Sequence, residues 1–263
     1  MRLRLRRPRI EPTTIDAYRA DLTMLERFLE RGVTTATTAD IEAWIASCPA
    51  KPRTIGRRLS TLAGFFRWAV PRGVVATDPT ALVARPKVGS NPPRPMPEDE
   101  LVEVWRRANP KMRCWLALAA YAGLRCCEIA RLRAEDVDLD TAELKVRGKG
   151  SKSRVVPAHP LVLDALRSFG MPSEGPVFVN QLGRPVSARG VSVTGNAFLR
   201  RCGVDRTMHT VRHRFGTETY KATRDIRVVA ELMGHSSLST TMIYTQVPSE
   251  AGAAAVAALP VAV

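Results

Sequence analysis

The residues best suited to chemistry lie close together near the end of the chain. Between His209 and Tyr244 run His209-Thr210-Val211-Arg212, Leu232-Met233-Gly234-His235 and Thr240-Thr241-Met242-Ile243-Tyr244. Two imidazoles, a guanidinium and a phenol suit attack on a phosphodiester, with tyrosine as nucleophile and the cations holding charge. Splitting that bond without metal requires charge neutralised on five-coordinate phosphorus, a positioned nucleophile and a proton for the leaving alkoxide. Arginine fits the first task because its planar fork donates two parallel hydrogen bonds to phosphate oxygens and stays protonated. Tyrosine ionises near pH ~10, so at neutral pH it needs a base or a cationic surround. A lysine whose pKa is depressed by neighbouring cations can supply the proton. The three quoted segments lack that lysine and a second phosphate clamp. Upstream, Lys149 and Arg125 stand at element boundaries where side chains can point into a cleft.

Taken singly, each of these residues has a plainer reading. Arg125 after a helix-ending glycine reads as a surface or capping residue, and Glu128 one turn on can simply pair with it. Lys149 and Lys152 on a hairpin tip read as solvated. His209 and His213, four apart on a helix, could form a zinc pair, but no Glu stands at position 210 and no convincing third ligand follows. Cys126-Cys127 are adjacent, which suits neither one tetrahedral metal nor an easy disulfide. His235 alone reads as a helix cap, and Tyr244 alone as a half-buried aromatic. Gly148-Lys149 has no glycine five positions earlier, so it is not a Walker loop.

The elements that must carry these groups belong to a strongly basic chain of 263 residues. Its net charge of +15 and pI of about 10.5 point to a polyanion, most simply nucleic acid. Residues 1–90 carry a net +8 and residues 91–263 a net +7, so both halves are expected to grip it. At 45% hydrophobic, the sequence can fill a sizeable core, which excludes general disorder. Five cysteines without paired spacing, and no apolar leader, lead us to expect free thiols in a reducing cytoplasm. No apolar run reaches the ~18 residues of a membrane span.

The hydrophobic pattern divides the chain. Helical spacing starts at Thr13 (Ile15, Tyr18, Leu22, Leu25, Phe28, Leu29), resumes near Thr38 with Ile41, Trp44 and Ile45, and runs through Ile55, Leu59, Leu62, Phe66 and Ala69. A further short helix is expected over Thr80–Val83. Five prolines between Arg85 and Pro97 exclude a helix or central strand and mark a linker. Beyond it, helices are expected over Glu98–Ala108, Met112–Ala122, from Leu124-Arg125 through Leu132, Leu161–Phe169, Ser187–Arg201, His209–Lys221, Ile226–Met233 and Leu238–Tyr244. Val137–Leu139 is a short strand, and Glu143–Val146 with Arg154–Pro157 form a hairpin around Arg147-Gly148-Lys149-Gly150-Ser151-Lys152-Ser153. The organisation is therefore a basic arm (1–12), a helical domain (13–88), a linker (89–97), a larger domain (98–250) and an apolar tail (251–263).

Five boxes make the pattern specific. Ala122-Gly123-Leu124-Arg125-Cys126-Cys127-Glu128-Ile129 resembles the first arginine box of the tyrosine recombinases, the phage-integrase family. Gly148 to Pro157 resembles that family's lysine hairpin, and His209-Thr210-Val211-Arg212-His213 its His-x-x-Arg box. Leu232 to Ser237 and Thr240 to Thr245 are similar to its final histidine and nucleophile boxes, while residues 13–88 look like its helical core-binding domain. The resemblance covers nearly the whole chain after the arm.

It implies a mainly α protein that clamps DNA, with a helical core-binding domain and a mixed α+β catalytic domain holding a small antiparallel sheet. It further implies that Arg125, Arg212 and His235 hold the scissile phosphate. Lys149 would protonate the departing 5′-oxygen, and His209 would assist proton removal from Tyr244, which forms a 3′-phosphotyrosyl link. Glu128 would orient Arg125 without reacting. The link conserves the phosphodiester energy, so no cofactor and no metal is expected. Arg57, Arg58 and Lys152 are expected to contact DNA.

The implied partners are double-stranded core sites, three further copies in a synaptic tetramer that is monomeric when free, and an accessory directionality factor, in a bacterial cytoplasm and nucleoid. Only about a dozen residues precede the core-binding domain, which implies a form without an arm-binding domain. Cys126-Cys127 and Pro71 depart from the family pattern. The tail is expected to dock on a neighbouring subunit or to act as a degradation signal. Prophage integration or mobile-element movement is the leading role. Xer-like chromosome-dimer resolution, type IB topoisomerase action, a non-catalytic DNA-binding regulator and a metal-dependent nuclease stand as alternatives.

Overall fold

The computed structural model describes residues 12–87, 89, 94–148 and 153–234. The chain divides into two compact units, Met1–Asn91 and Pro92–Val263. Among the described residues the first holds three α-helices: α1 (Pro12–Leu29), α2 (Thr38–Ser47) and α3 (Pro52–Ala69). Their apolar stripes meet in a core of Leu25, Ile41, Trp44, Leu59, Leu62 and Phe66. Thr37 starts α2 through a reciprocal cap. Its hydroxyl accepts from the Asp40 N–H at 3.2 Å, while Asp40 accepts from the Thr37 N–H at 2.8 Å. Pro71 falls in a 3₁₀ turn after α3, and Gly73 closes that turn in the left-handed region at φ 66°. The helix expected over Thr80–Val83 is a turn instead. The Asp78 carboxylate accepts from the Thr80 N–H at 2.8 Å and from its hydroxyl at 2.6 Å, which offers the backbone an alternative to a helical start.

One buried charge organises this unit. Asp21 on α1 is only 1% exposed, and it accepts two hydrogen bonds from Arg57 (2.6 and 2.8 Å) and one from the Thr61 hydroxyl (2.8 Å). Arg58 is largely enclosed as well, lying 3.9 Å from Asp21 and donating to the Cys48 sulfur at 3.3 Å. Arg57 and Arg58 therefore brace α3 against its neighbours. About half of the Arg57 side chain stays open to solvent.

The second unit surrounds one buried helix. After α4 (Glu98–Arg107) comes α5 (Pro110–Tyr121), whose residues Cys114 to Ala120 are all buried. It packs against α7 (Pro160–Phe169) and α9 (Met208–Thr223). That explains why Met-Arg-Cys-Trp-Leu-Ala-Leu-Ala-Ala shows no one-sided stripe. Between α5 and α7 in sequence come α6 (Cys126–Arg131) and an antiparallel sheet of β1 (Val137–Asp138), β2 (Glu143–Arg147) and β3 (Ser153–Pro157), in that order. In the hairpin, Leu144 pairs with Val156 and Val146 with Arg154. Helices α8 (Ala188–Arg201) and α10 (Ile226–Met233) are the remaining helices among the described residues of this unit. Gly195 of α8 permits close packing on α9, since a Cβ there would lie 2.5 Å from the Met208 side chain. No helix among the described residues is long and apolar enough to cross a membrane.

The Asp21 arrangement makes an asymmetric prediction. Arg57→Ala leaves a buried carboxylate with too few partners and should cost about 3–5 kcal/mol. Asp21→Ala leaves a guanidinium that can turn to water and should cost about 1.5–3 kcal/mol. Urea unfolding of the full chain monitored at the first unit checks the order; equal costs would contradict it.

Candidate active site

Gly123 and Arg125 owe their placement to the break between α5 and α6. Gly123 adopts φ 63°, and the Phe215 ring of α9 lies where a Cβ would be, 2.4 Å from that position. Only glycine satisfies both the left-handed backbone and the close approach. The chain then turns so that Arg125 immediately precedes α6, whose first turn brings Glu128 back beneath it. Glu128 accepts from the Arg125 backbone N–H at 2.8 Å and from its Nη1 at 3.0 Å.

Glu128 is the hub of the site. It is 6% exposed and gathers three guanidinium groups. Besides Arg125, it accepts from Arg154 Nη1 and Nη2 at 2.9 and 3.1 Å and from Arg212 Nη1 at 3.4 Å. Burial pushes its carboxyl pKa up. The Arg154 hydrogen bonds, the Arg125 backbone N–H and the charges of Arg154 and Arg212 outweigh that effect and hold it below the usual carboxylate value. Three guanidiniums around one carboxylate leave a local excess of two positive charges. That is the electrostatic character a phosphate site requires.

The same arginines bind the end of α10. Arg154 Nε donates to the Leu232 carbonyl at 2.7 Å, Arg212 Nη2 to Met233 at 2.7 Å and Arg125 Nη2 to Gly234 at 3.1 Å. Arg212 Nη1 also donates to the Gly123 carbonyl. Helix C-terminal carbonyls lack intrahelical donors and carry the negative end of the dipole, so cations gather there. Gly234 ends the helix at φ 62°, with the Arg154 guanidinium so close that a Cβ would lie 2.8 Å from Nη1. The residue after Gly234 is His235.

His209 and Arg212 share a face of α9, whose start is fixed by Thr207. The Thr207 hydroxyl accepts from the Thr210 N–H at 3.3 Å, and Asn196 of α8 accepts from the Met208 N–H at 2.8 Å. Arg212 is buried at 2% exposure, whereas His209 is exposed, with its ring 4.3 Å from that of His213. Partial loss of hydration lowers the His209 pKa below 6.5, and the fields of Arg212 and Arg125 lower it further. The ring is therefore mainly neutral at pH 7 and able to accept a proton. Among the described residues, no group of three or more His, Cys, Asp or Glu side chains could hold a metal, so His209 and His213 find no third ligand there.

The structure thus brings Arg125 and Arg212 together on Glu128, with His209 within the electrostatic reach of both arginines. Lys149, Lys152, His235, Tyr244 and the helix expected over Leu238–Tyr244 lie outside the described residues. Sequence reading missed Arg154. The available signal was strand alternation: Arg154 stands two positions before buried Val156 and so shares the inner face of β3.

Comparison with known proteins decides the family. Residues 95–250 match the phage integrase family, and residues 5–73 match the phage integrase N-terminal SAM-like domain. The chain belongs to the phage integrase family. It is 35% identical over 250 residues to the tyrosine recombinase XerC of Xylella fastidiosa, covering 88% of this chain and 85% of that one. XerC of Lactobacillus delbrueckii subsp. bulgaricus is 31% identical over 266 residues, covering 90% and 88%. Among solved structures, the integrase from mycobacterium phage Brujita is 29% identical at a TM-score of 0.52, covering 93% of this chain and 85% of that one. A lambda integrase dimer bound to a COC′ core site shares the fold at a TM-score of 0.75 and 20% identity, with 89% of each chain covered. The protein is accordingly a site-specific tyrosine recombinase, mainly helical with a small antiparallel sheet.

Two titrations test this recombinase site. Glu128 has a depressed folded-state pKa, so its stabilisation is fully present above its unfolded value near 4.5 and is lost as pH falls through the folded value. Glu128→Gln should lower the melting temperature at pH 7 and flatten the loss of stability below pH 4.5; an unchanged acid profile would contradict the hub. In NMR titrations, the His209 midpoint should lie below 6.5 and move upward in Arg125→Gln. No movement would remove Arg125 from its electrostatic surroundings.

Proposed function

We propose that this recombinase cuts and rejoins double-stranded DNA at a core site through a 3′-phosphotyrosyl intermediate on Tyr244. The supporting observation is the convergence of Arg125 and Arg212 on Glu128 at the end of α10, one residue before His235. In this reading Arg125, Arg212 and His235 hold the scissile phosphate. The Tyr244 oxygen attacks phosphorus as its proton moves toward neutral His209. The bond from phosphorus to the 5′-oxygen breaks, and Lys149 gives that oxygen a proton. Reversal by an incoming 5′-hydroxyl restores the phosphodiester. Arg57, through its outward half, Arg58 and Lys152 are assigned to the DNA backbone.

Strand exchange between two duplexes calls for four protomers on two sites, assembled from free monomers in the cytoplasm. The lambda integrase structure on its core site supports duplex DNA as the partner. The unit bounds proposed are 13–88 for core binding and 98–250 for catalysis. Integration or excision of a phage or mobile element is the leading role, with an accessory factor setting direction. The higher identity to the two XerC proteins than to the phage Brujita integrase favours a Xer-type role as the second reading.

The test is covalent trapping on nicked duplex DNA enriched from a random-sequence pool by repeated binding to the protein. Wild type should form an SDS-resistant adduct in EDTA, and Tyr244→Phe should bind equally but form none. An adduct that survives in Tyr244→Phe would displace the nucleophile. EDTA-sensitive cleavage would favour the metal-dependent nuclease, and supercoil relaxation without exchange between sites would favour a topoisomerase. Binding with no adduct in wild type would favour a regulator.

A further inference from the structure

Arg154 has no part in the steps above, yet its side chain is less exposed than that of Arg125 and is fully engaged by protein acceptors. Its side chain is 13% exposed. Nε donates to the Leu232 carbonyl, and Nη1 and Nη2 both donate to Glu128. With all three nitrogens committed to protein acceptors, the fork is arranged to hold neighbours rather than to take a ligand. Those neighbours are Glu128, which also binds Arg125 and Arg212, and the last turn of α10, whose next carbonyls bind the same two residues.

We propose that Arg154 is a positioning residue for the phosphate clamp, a role that rests on Arg125 and Arg212 being that clamp. Two physical effects support it. Arg154 offsets the charge of Glu128; without it, a buried carboxylate competes with the substrate phosphate for Arg125 and Arg212. Arg154 also spans β3, α6 and α10 with one rigid planar group. It thereby fixes the carboxylate and the helix end relative to each other. Lysine keeps the charge but is a single point on a flexible stem, so it can restore the first effect and not the second. The closeness of Gly234 to the guanidinium shows how tightly the backbone is fitted around it.

The experiment measures single-turnover adduct formation on the enriched nicked duplex, using full-length wild type, Arg154→Met, Arg154→Lys, Arg125→Lys and the double variants, with thermal unfolding of each. Misplaced reacting groups typically cost on the order of 100-fold, so Arg154→Met should slow the maximal rate by about 30- to 100-fold. The half-saturating DNA concentration should change by less than about threefold, because the loss lies in the reacting state. Arg154→Lys should recover part of the rate. In the Arg125→Lys background the same changes should cost less than about fivefold, because residues acting as a unit are non-additive.

Multiplicative losses in the double variants would overturn the proposal, as would a rise in half-saturating DNA with an unchanged maximal rate, or a wild-type rate in both variants. If Arg154→Met is unfolded at the assay temperature, Arg154→Lys carries the same comparisons. Absence of any wild-type adduct would overturn the clamp reading together with this one. A wild-type adduct with additive losses would overturn only the role of Arg154.

Discussion

A buried carboxylate shared by three guanidinium groups is the constraint on which the catalytic unit depends. Removing Glu128 from water is costly, and the cost is offset only while Arg125, Arg154 and Arg212 stay within hydrogen-bond reach. These arginines come from the start of α6, from strand β3 and from α9. The ion cluster therefore sets the relative placement of three elements distant in sequence. The apolar core packed around α5 brings these elements near one another, and Glu128 fixes their final register. Charge concentration of this kind is unfavourable by itself. It persists because the carboxylate and the carbonyls at the end of α10 share the load.

Much of this was legible in the sequence, for identifiable reasons. The α3 stripe, the hairpin segments Glu143–Val146 and Arg154–Pro157 and the helix-ending Gly123 are local signals with local causes, and they place elements within a few residues. The boundaries were set where side chains intervened: Thr37 caps α2, just before the helical spacing resumes near Thr38, and Asp78 turns Thr80–Val83 away from a helix. Arg125, His209 and Arg212 were readable because their types and spacing match a recurrent pattern.

Arg154 and Asp21 were not readable in the same way. Strand alternation could point Arg154 inward, but the partners that give both residues their meaning lie 26 and 36 residues away and are not named by any local pattern. Arg57 and Arg58 show a related limit: the sequence offers a basic helix face, and only the structure reveals the buried acid on another helix that this face also engages.

The last turn of α10 presents three successive backbone carbonyls to three different arginines. Backbone atoms are common to all residue types, so this part of the site is written in the phase of a helix rather than in the identity of its side chains. Each residue advances an α-helix by about 100°. Inserting or deleting one residue within Ile226–Met233 would swing the carbonyls away from their donors, even if every arginine were kept. Substitutions on the outward positions of the same helix would leave that phase unchanged. The segment should therefore tolerate drift in composition while remaining rigid in length, a constraint that residue-by-residue comparison of sequences alone would not disclose.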